Sequence, residues 1–348
     1  MSLVSGILRA PSGSRTHSTA ILMVAGGSTS STLRAVLAGA GVAMMGEAPV
    51  VNAVLGLSGK PAAETTLLYL GTATYDLASF MKKQTYAFAE RGVIVNTLNV
   101  ACSTPSEDAV MAAIDSADVI LVSGGNTLFA VDRWRRAKMV EPLRRAMERG
   151  ATLCGGSAGA GCWFDALHSD SMDPDWYRTL MLAGGGAAAE AKGTEAAAVS
   201  VDGVIKQWEY IRVPALGFLP GLLCPHHDRT QSNGVLRATD FAGMLRRHPG
   251  ETGIAIDHFA ALVISGGEYE VLALPDKPGS HSPTSASPAP GKGAPACWIK
   301  AVDTDGVSIT ERTLPSRGPL SDLLHPARSI SEDPRVQVAR AENPSHDL

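Results

Sequence analysis

Leu153-Cys154-Gly155-Gly156-Ser157-Ala158-Gly159-Ala160-Gly161 sets one serine inside a Gly-x-Ser-x-Gly frame directly after a short apolar run. This is the sequence of a nucleophile elbow: a strand ends, a turn too tight for side chains carries a hydroxyl on its tip, and a helix begins whose first N–H groups face an oxyanion. Ser157 is the candidate for covalent chemistry. Taken alone, the motif reads equally well as a glycine-rich strand-to-helix turn, so its neighbours in the chain must decide.

The first neighbour is Val119-Ile120-Leu121-Val122-Ser123-Gly124-Gly125-Asn126-Thr127, an apolar strand running into a second glycine turn. Two such turns at the ends of parallel strands aim bare amides at one point. A tetrahedral intermediate needs such donors, here one from Gly124 or Gly125 and one from Ala158. The second neighbour is Leu223-Cys224-Pro225-His226-His227-Asp228, which follows the apolar run Ala215 to Leu219. His226, beyond a strand end and after a proline, is the candidate base that takes the serine proton and returns it to the leaving amine. Between serine and histidine, Asp170 is the favoured carboxylate to orient the imidazole, because the order Ser, Asp, His matches a known triad order. Asp165, Asp228 and Asp257 stay open as alternatives, with Asp257 the main rival.

The ordered set Gly155 to Gly159, Ser123 to Thr127 and Cys224-Pro225-His226 resembles the peptidase E (alpha-aspartyl dipeptidase) family. That family is related to cyanophycinase and has a class I glutamine amidotransferase-like fold. Gly56 to Pro61 leading to Leu67 to Thr74, and Gly253 to Asp257, extend the resemblance over about residues 50 to 275. It implies Ser157 as nucleophile, His226 as base, an aspartate shortly after the elbow that best matches Asp170, and cleavage after an N-terminal aspartate. A cation among Arg178, Arg212 and Arg229 would then meet the substrate carboxylate. The chain departs from the family in having Gly156 where a bulky residue often stands, and in a longer link over 173–213.

Composition fits this reading. The chain has 348 residues, 45% of them hydrophobic, a formal net charge of -4 and five cysteines. It is long enough for one large α/β domain, lacks the basic tracts of a nucleic-acid binder, and has no cysteine pair with disulfide or zinc spacing. The expected fold is α/β, a mostly parallel sheet with helices on both faces and loop insertions. Expected strands are Ile21–Ala25, Thr66–Leu70, Val93–Leu98, Val119–Val122, Thr152–Cys154, Val204–Ile205 and Leu216–Phe218, with a hairpin of Ala260–Ile264 and Tyr269–Ala273. Expected helices are Leu33–Met45, Tyr75–Arg91, Ser106–Ser116, Leu128–Arg149 and Val235–Arg247.

The domain reading is a flexible segment over 1–18, one domain over 19–316 with an insertion at 173–213 and a disordered loop at 276–296, and a poorly ordered tail over 317–348. Residues 183–199 within the insertion are a candidate lid, and Ala296 to Val302 an edge strand. No cofactor and no metal are expected, and the partner is a small peptide, with neither nucleic acid nor membrane. The protein is expected in the cytoplasm as a monomer or homodimer. Cyanophycinase-like or other amide or ester hydrolysis, and non-catalytic binding on the same scaffold, are the competing functions. A glutamine amidotransferase is disfavoured, because the elbow tip is a serine and not a cysteine.

Overall fold

The computed structural model describes residues 32–174, 206–274, 276–277 and 293–342. Its strands are β1 (Arg34–Ala38), β2 (Thr66–Leu70), β3 (Ile94–Thr97), β4 (Val119–Val122), β5 (Thr152–Gly156), β6 (Phe164–Ser169), β7 (Ile211–Pro214), β8 (Leu219–Cys224), β9 (Gly253–Ile256), β10 (Ala260–Ser265), β11 (Glu268–Ala273), β12 (Cys297–Val302), β13 (Ile309–Thr313) and β14 (Arg317–Pro319). Helices are α1 (Val42–Met45), α2 (Ala48–Ser58), α3 (Ala78–Ala89), α4 (Glu107–Asp115), α5 (Thr127–Arg136), α6 (Val140–Arg149), α7 (Ala158–Gly161), α8 (Arg237–Arg247) and α9 (Arg335–Glu342).

The strands form two sheets, one in the order β14-β11-β10-β1-β5-β4-β2-β3 and one in the order β13-β12-β9-β8-β6-β7. In the first, β1, β5, β4, β2 and β3 are parallel, and β10, β11 and β14 add antiparallel strands. Alternation along the parallel strands divides the core. Leu68, Leu70, Ile120 and Val122 pack with Ile114, Trp134 and Leu143 of α4, α5 and α6. Leu67, Tyr69, Val119 and Leu121 pack with Met44, Val54 and Phe88 of α1, α2 and α3. Helices therefore cover both faces, as expected. In the second sheet β6, β8 and β9 are parallel and β7, β12 and β13 antiparallel, with Phe241, Met244 and Leu245 of α8 against one face.

Several expected elements shift, each for a physical reason. Leu33–Met45 contains β1 rather than one helix: its helix-forming residues are overridden by burial between β10 and β5, which rewards an apolar strand wetted on neither face. The strand expected at Leu216–Phe218 begins at Leu219. Gly217 takes a φ of 69° in a turn, and Pro220, which cannot donate to the ladder, sits where the β6–β8 register slips. Leu128–Arg149 is two helices, because the ring of Pro142 in a continuous helix would clash with the carbonyl of Lys138, and Lys138 instead turns to a φ of 54°. Cys297–Val302 lies between β9 and β13 and is not an edge strand.

Beyond Arg317 the chain forms β14 and α9. Val336 and Ala339 pack on Leu128, Ile211 and Val213, and Arg340 makes paired bonds of 2.7 and 2.8 Å to Asp132. Ile21–Ala25, Val204–Ile205, the 183–199 stretch and Arg178 lie outside the described residues. So does most of 276–296.

The end of β1 is the crowded centre of the molecule. Gly39 donates its N–H to Ala260 O at 2.9 Å, and a Cβ built on Gly39 would overlap the carbonyl of Asp257. Gly39→Ala is therefore expected to cost about 1–3 kcal/mol of stability through forced backbone displacement, read from denaturant unfolding. An unchanged unfolding midpoint would contradict this close approach.

Candidate active site

β5 ends at Gly156 and α7 begins at Ala158, so Ser157 stands on the tip between them. Its φ of 56° and ψ of -120° belong to a region that residues with a Cβ rarely occupy, a strain held only where surrounding contacts impose it. The glycines around it impose it. A Cβ on Gly156 would overlap Ala40 O, one on Gly159 would overlap Val122 O, and one on Gly155 would come within 2.5 Å of Val122 O. Gly156 therefore has no room for the bulky residue often found there in the resembling family. Ser157 is partly exposed while the turn around it is buried.

Two consecutive carbonyls at the end of β1 place the serine and the histidine. Ser157 N donates to Ala38 O at 3.1 Å and His226 N donates to Gly39 O at 3.2 Å. His226 follows β8 of the second sheet with a φ of 48°, a second constrained backbone, brought to the elbow by the end of β1. Both lie at the carboxyl ends of parallel strands, where open α/β sheets present ligands. Burial, helped by the nearby His258, Arg237 and Arg229 charges, holds the His226 imidazole well below its ordinary pKa. The ring is thus neutral near pH 7, the form a base requires. Among the described residues no hydrogen bond joins Ser157 Oγ to His226.

The carboxylates sort by partner. Asp170 meets Arg237 Nη1 at 3.3 Å; Arg237 is buried, and its guanidinium lies over Tyr210. Asp257, fully buried, meets His227 Nδ1 at 3.1 Å and accepts from Ala296 N at 2.8 Å, so it fixes the histidine beside the candidate base. Asp165 accepts from Gly221 N at 3.1 Å, at the β6–β8 irregularity. Asp228 accepts from His258 N at 2.7 Å, and burial with the neighbouring Asp257 charge pushes its pKa up to about 6. The Nδ1 atom of His226 itself meets Nδ1 of His258 at 2.8 Å. His258 escaped the sequence reading as a partner because it lies 32 positions from His226 and only the fold unites them.

Gly124 lies against the elbow: a Cβ built on it would stand 3.2 Å from Gly156 O and 3.4 Å from Ser157 Cβ. Ser123 N and Asn126 N on either side are spent on Leu70 O and Ala73 O, while the amides of Gly124, Gly125 and Ala158 have no acceptor among the described residues. Asn126 caps α5 by accepting from Phe129 N at 3.1 Å, which fixes the turn. The Gly39-Ala40-Gly41 turn completes the floor, a feature hidden in the sequence by its reading as helix.

The thiols near the elbow are buried. Burial raises the pKa of Cys154 and Cys162 and pushes Cys224 up to about 12. Among the described residues no group of three or more His, Cys, Asp or Glu side chains is arranged to hold a metal, and no helix is long and apolar enough to cross a membrane. Of the candidate cations, Arg212 is buried and bound to Glu251 at 2.5 and 2.7 Å. Arg229 is half-buried, lies over Phe259 at 5.1 Å, and pairs through Nε with Asp228 Oδ2 at 3.8 Å.

The model of peptidase family S51 matches residues 34–178 and 170–272, a span that contains the elbow, both glycine turns and His226. A Trypanosoma brucei brucei protein named G2/mitotic-specific cyclin-1 is 29% identical over 316 residues, covering 85% of this chain and 89% of that protein. The uncharacterized peptidase YgaJ of Bacillus subtilis is 27% identical over 162 residues, 47% of this chain and 54% of its own length. The crystal structure of a peptidase from an acI-B1 actinobacterium superposes with a TM-score of 0.51 at 13% identity, covering 84% of this chain and 98% of that one, and so shares its fold. With the family model spanning most of the chain, including the elbow and the histidine turn, the protein belongs to peptidase family S51, the peptidase E family that its glycine turns resemble.

Proposed function

We propose that the protein is a serine dipeptidase that hydrolyses dipeptides with an N-terminal aspartate through an acyl-enzyme. The observation that carries this reading is the anchoring of Ser157 and His226 on the adjacent carbonyls of Ala38 and Gly39, with the serine in a strained elbow. In the reaction Ser157 Oγ attacks the scissile carbonyl while His226 Nε2 takes its proton. The tetrahedral oxyanion receives hydrogen bonds from the Gly124 or Gly125 amide and from Ala158. Collapse expels the amine with the proton held on His226. Water then attacks the ester, gives its proton to His226, and the acid product leaves as Ser157 is restored.

Asp170 serves as the acid of this set by charge. The cation of Arg237 lowers the His226 pKa and opposes the imidazolium formed when serine is deprotonated. Asp170, paired with Arg237, offsets that opposition. Specificity falls to Arg229, the half-buried candidate cation beside the His226 turn, whose guanidinium a substrate side-chain carboxylate would share with Asp228, 3.8 Å from its Nε.

Ser157→Ala is expected to lower kcat by about four to six powers of ten with unfolding unchanged. Retention of more than roughly a tenth of the rate would exclude the covalent route. In a dipeptide library varied at its first residue, aspartate should lead, and Arg229→Gln should raise KM for it about tenfold or more, as loss of a charge-assisted hydrogen bond does. A variant with unaltered preference removes Arg229 from specificity.

Asp170→Asn, which leaves the Arg237 cation unpaired near His226, should reduce kcat by about ten- to a hundredfold, the scale of one lost charged hydrogen bond. Asp257→Asn, acting on His227, should act mainly on stability. Comparing kcat and melting temperature of the two variants checks the assignment, and a near-normal Asp170 variant beside an inactive but folded Asp257 variant reverses it.

A further inference from the structure

We propose that His258 is a positioning residue that sets the tautomer of His226, a role that rests on His226 being the base. The two Nδ1 atoms are 2.8 Å apart, so one carries the hydrogen and the other accepts it. If His258 donates, the hydrogen of neutral His226 sits on Nε2, and that atom cannot take a serine proton. If His226 donates, its Nε2 lone pair is open and its Nδ1–H is tied to an acceptor, the arrangement a carboxylate enforces in other serine hydrolases. The tautomer of His258 therefore selects between an idle and a competent base.

The geometry holds His258 in place for this role. Its backbone N–H is bound by Asp228 at 2.7 Å, and its ring meets Phe259 edge-on with centroids 4.5 Å apart. The imidazole is partly exposed, so water can receive its Nε2–H when Nδ1 accepts from His226. No described carboxylate reaches His226 Nδ1, since Asp170 is turned to Arg237 and Asp257 to His227. His258 thus occupies the position from which imidazole orientation is controlled.

The test compares His258→Asn, whose Oδ1 overlays Nδ1 and can accept the same hydrogen bond, with His258→Leu, which fills the space without an acceptor. The Leu variant should lose about a hundredfold or more in kcat with KM nearly unchanged, part of the loss that a wrong tautomer causes in other triads. The Asn variant should recover to within about tenfold of the parent, because one neutral hydrogen bond is replaced by another. Equal losses in folded Asn and Leu variants, or a Leu variant with near-normal kcat, overturn the proposal. If the Leu variant does not fold, the Asn variant alone decides, and a loss beyond about a hundredfold contradicts the role. His226→Ala is run alongside: an active His226→Ala protein refutes the reading of His226 as base, whereas an inactive one with an unaffected His258→Leu refutes only the role of His258.

Discussion

Everything at the site depends on two carbonyls where β1 ends, those of Ala38 and Gly39. Ala38 O holds the amide of Ser157 and Gly39 O holds that of His226, while Gly39 N is bound to Ala260 O and the Gly39 Cα lies against the Asp257 carbonyl. One short stretch of backbone thus positions the end of β5, the end of β8 and the turn between β9 and β10. Side chains are excluded there. The glycines are not simply permissive of turns; they allow three chain segments to touch backbone to backbone, so that Ser157, His226 and His258 share one support.

Burial then does the electrostatic work. The imidazoles of His226 and His258 lose solvent, and nearby arginines add to the cost of protonating them; His258 is held down to about pH 3. Neutral rings suit proton transfer at neutral pH but make the imidazolium formed in the reaction expensive. In the proposed mechanism, the pairing of Asp170 with Arg237 limits that expense by keeping one nearby cation paired. The same burial raises the thiol pKa values of Cys154 and Cys162, which leaves the serine hydroxyl as the reactive group at the elbow.

What the sequence revealed was local. Glycine spacing around Ser157 and around Gly124 is a property of a few adjacent residues, and both turns are where those spacings put them. The helix ends capped by Ser106 and Asn126 were likewise readable to within a residue or two. What escaped depends on partners distant in the chain. β1 carries helix-forming residues and becomes a strand only because β5 and β10 flank it. The Arg212–Glu251 and Arg340–Asp132 pairs join residues 39 and 208 positions apart, and nothing in a local window announces them. The His226–His258 contact is of the same kind, so the residues of the candidate site were visible and the partner that orients the His226 ring was not.

The central claim is that Ser157 becomes acylated during turnover. Rapid acid quenching of the protein with the preferred dipeptide, or with an ester of its first residue, followed by intact-mass measurement and peptide mapping, tests it directly. The account predicts a transient mass increment of one acyl group on the peptide containing Ser157, absent when Ser157 is replaced by alanine. Turnover with no acylated species under conditions where acyl transfer outpaces hydrolysis, or an acyl group on any other residue, would contradict it.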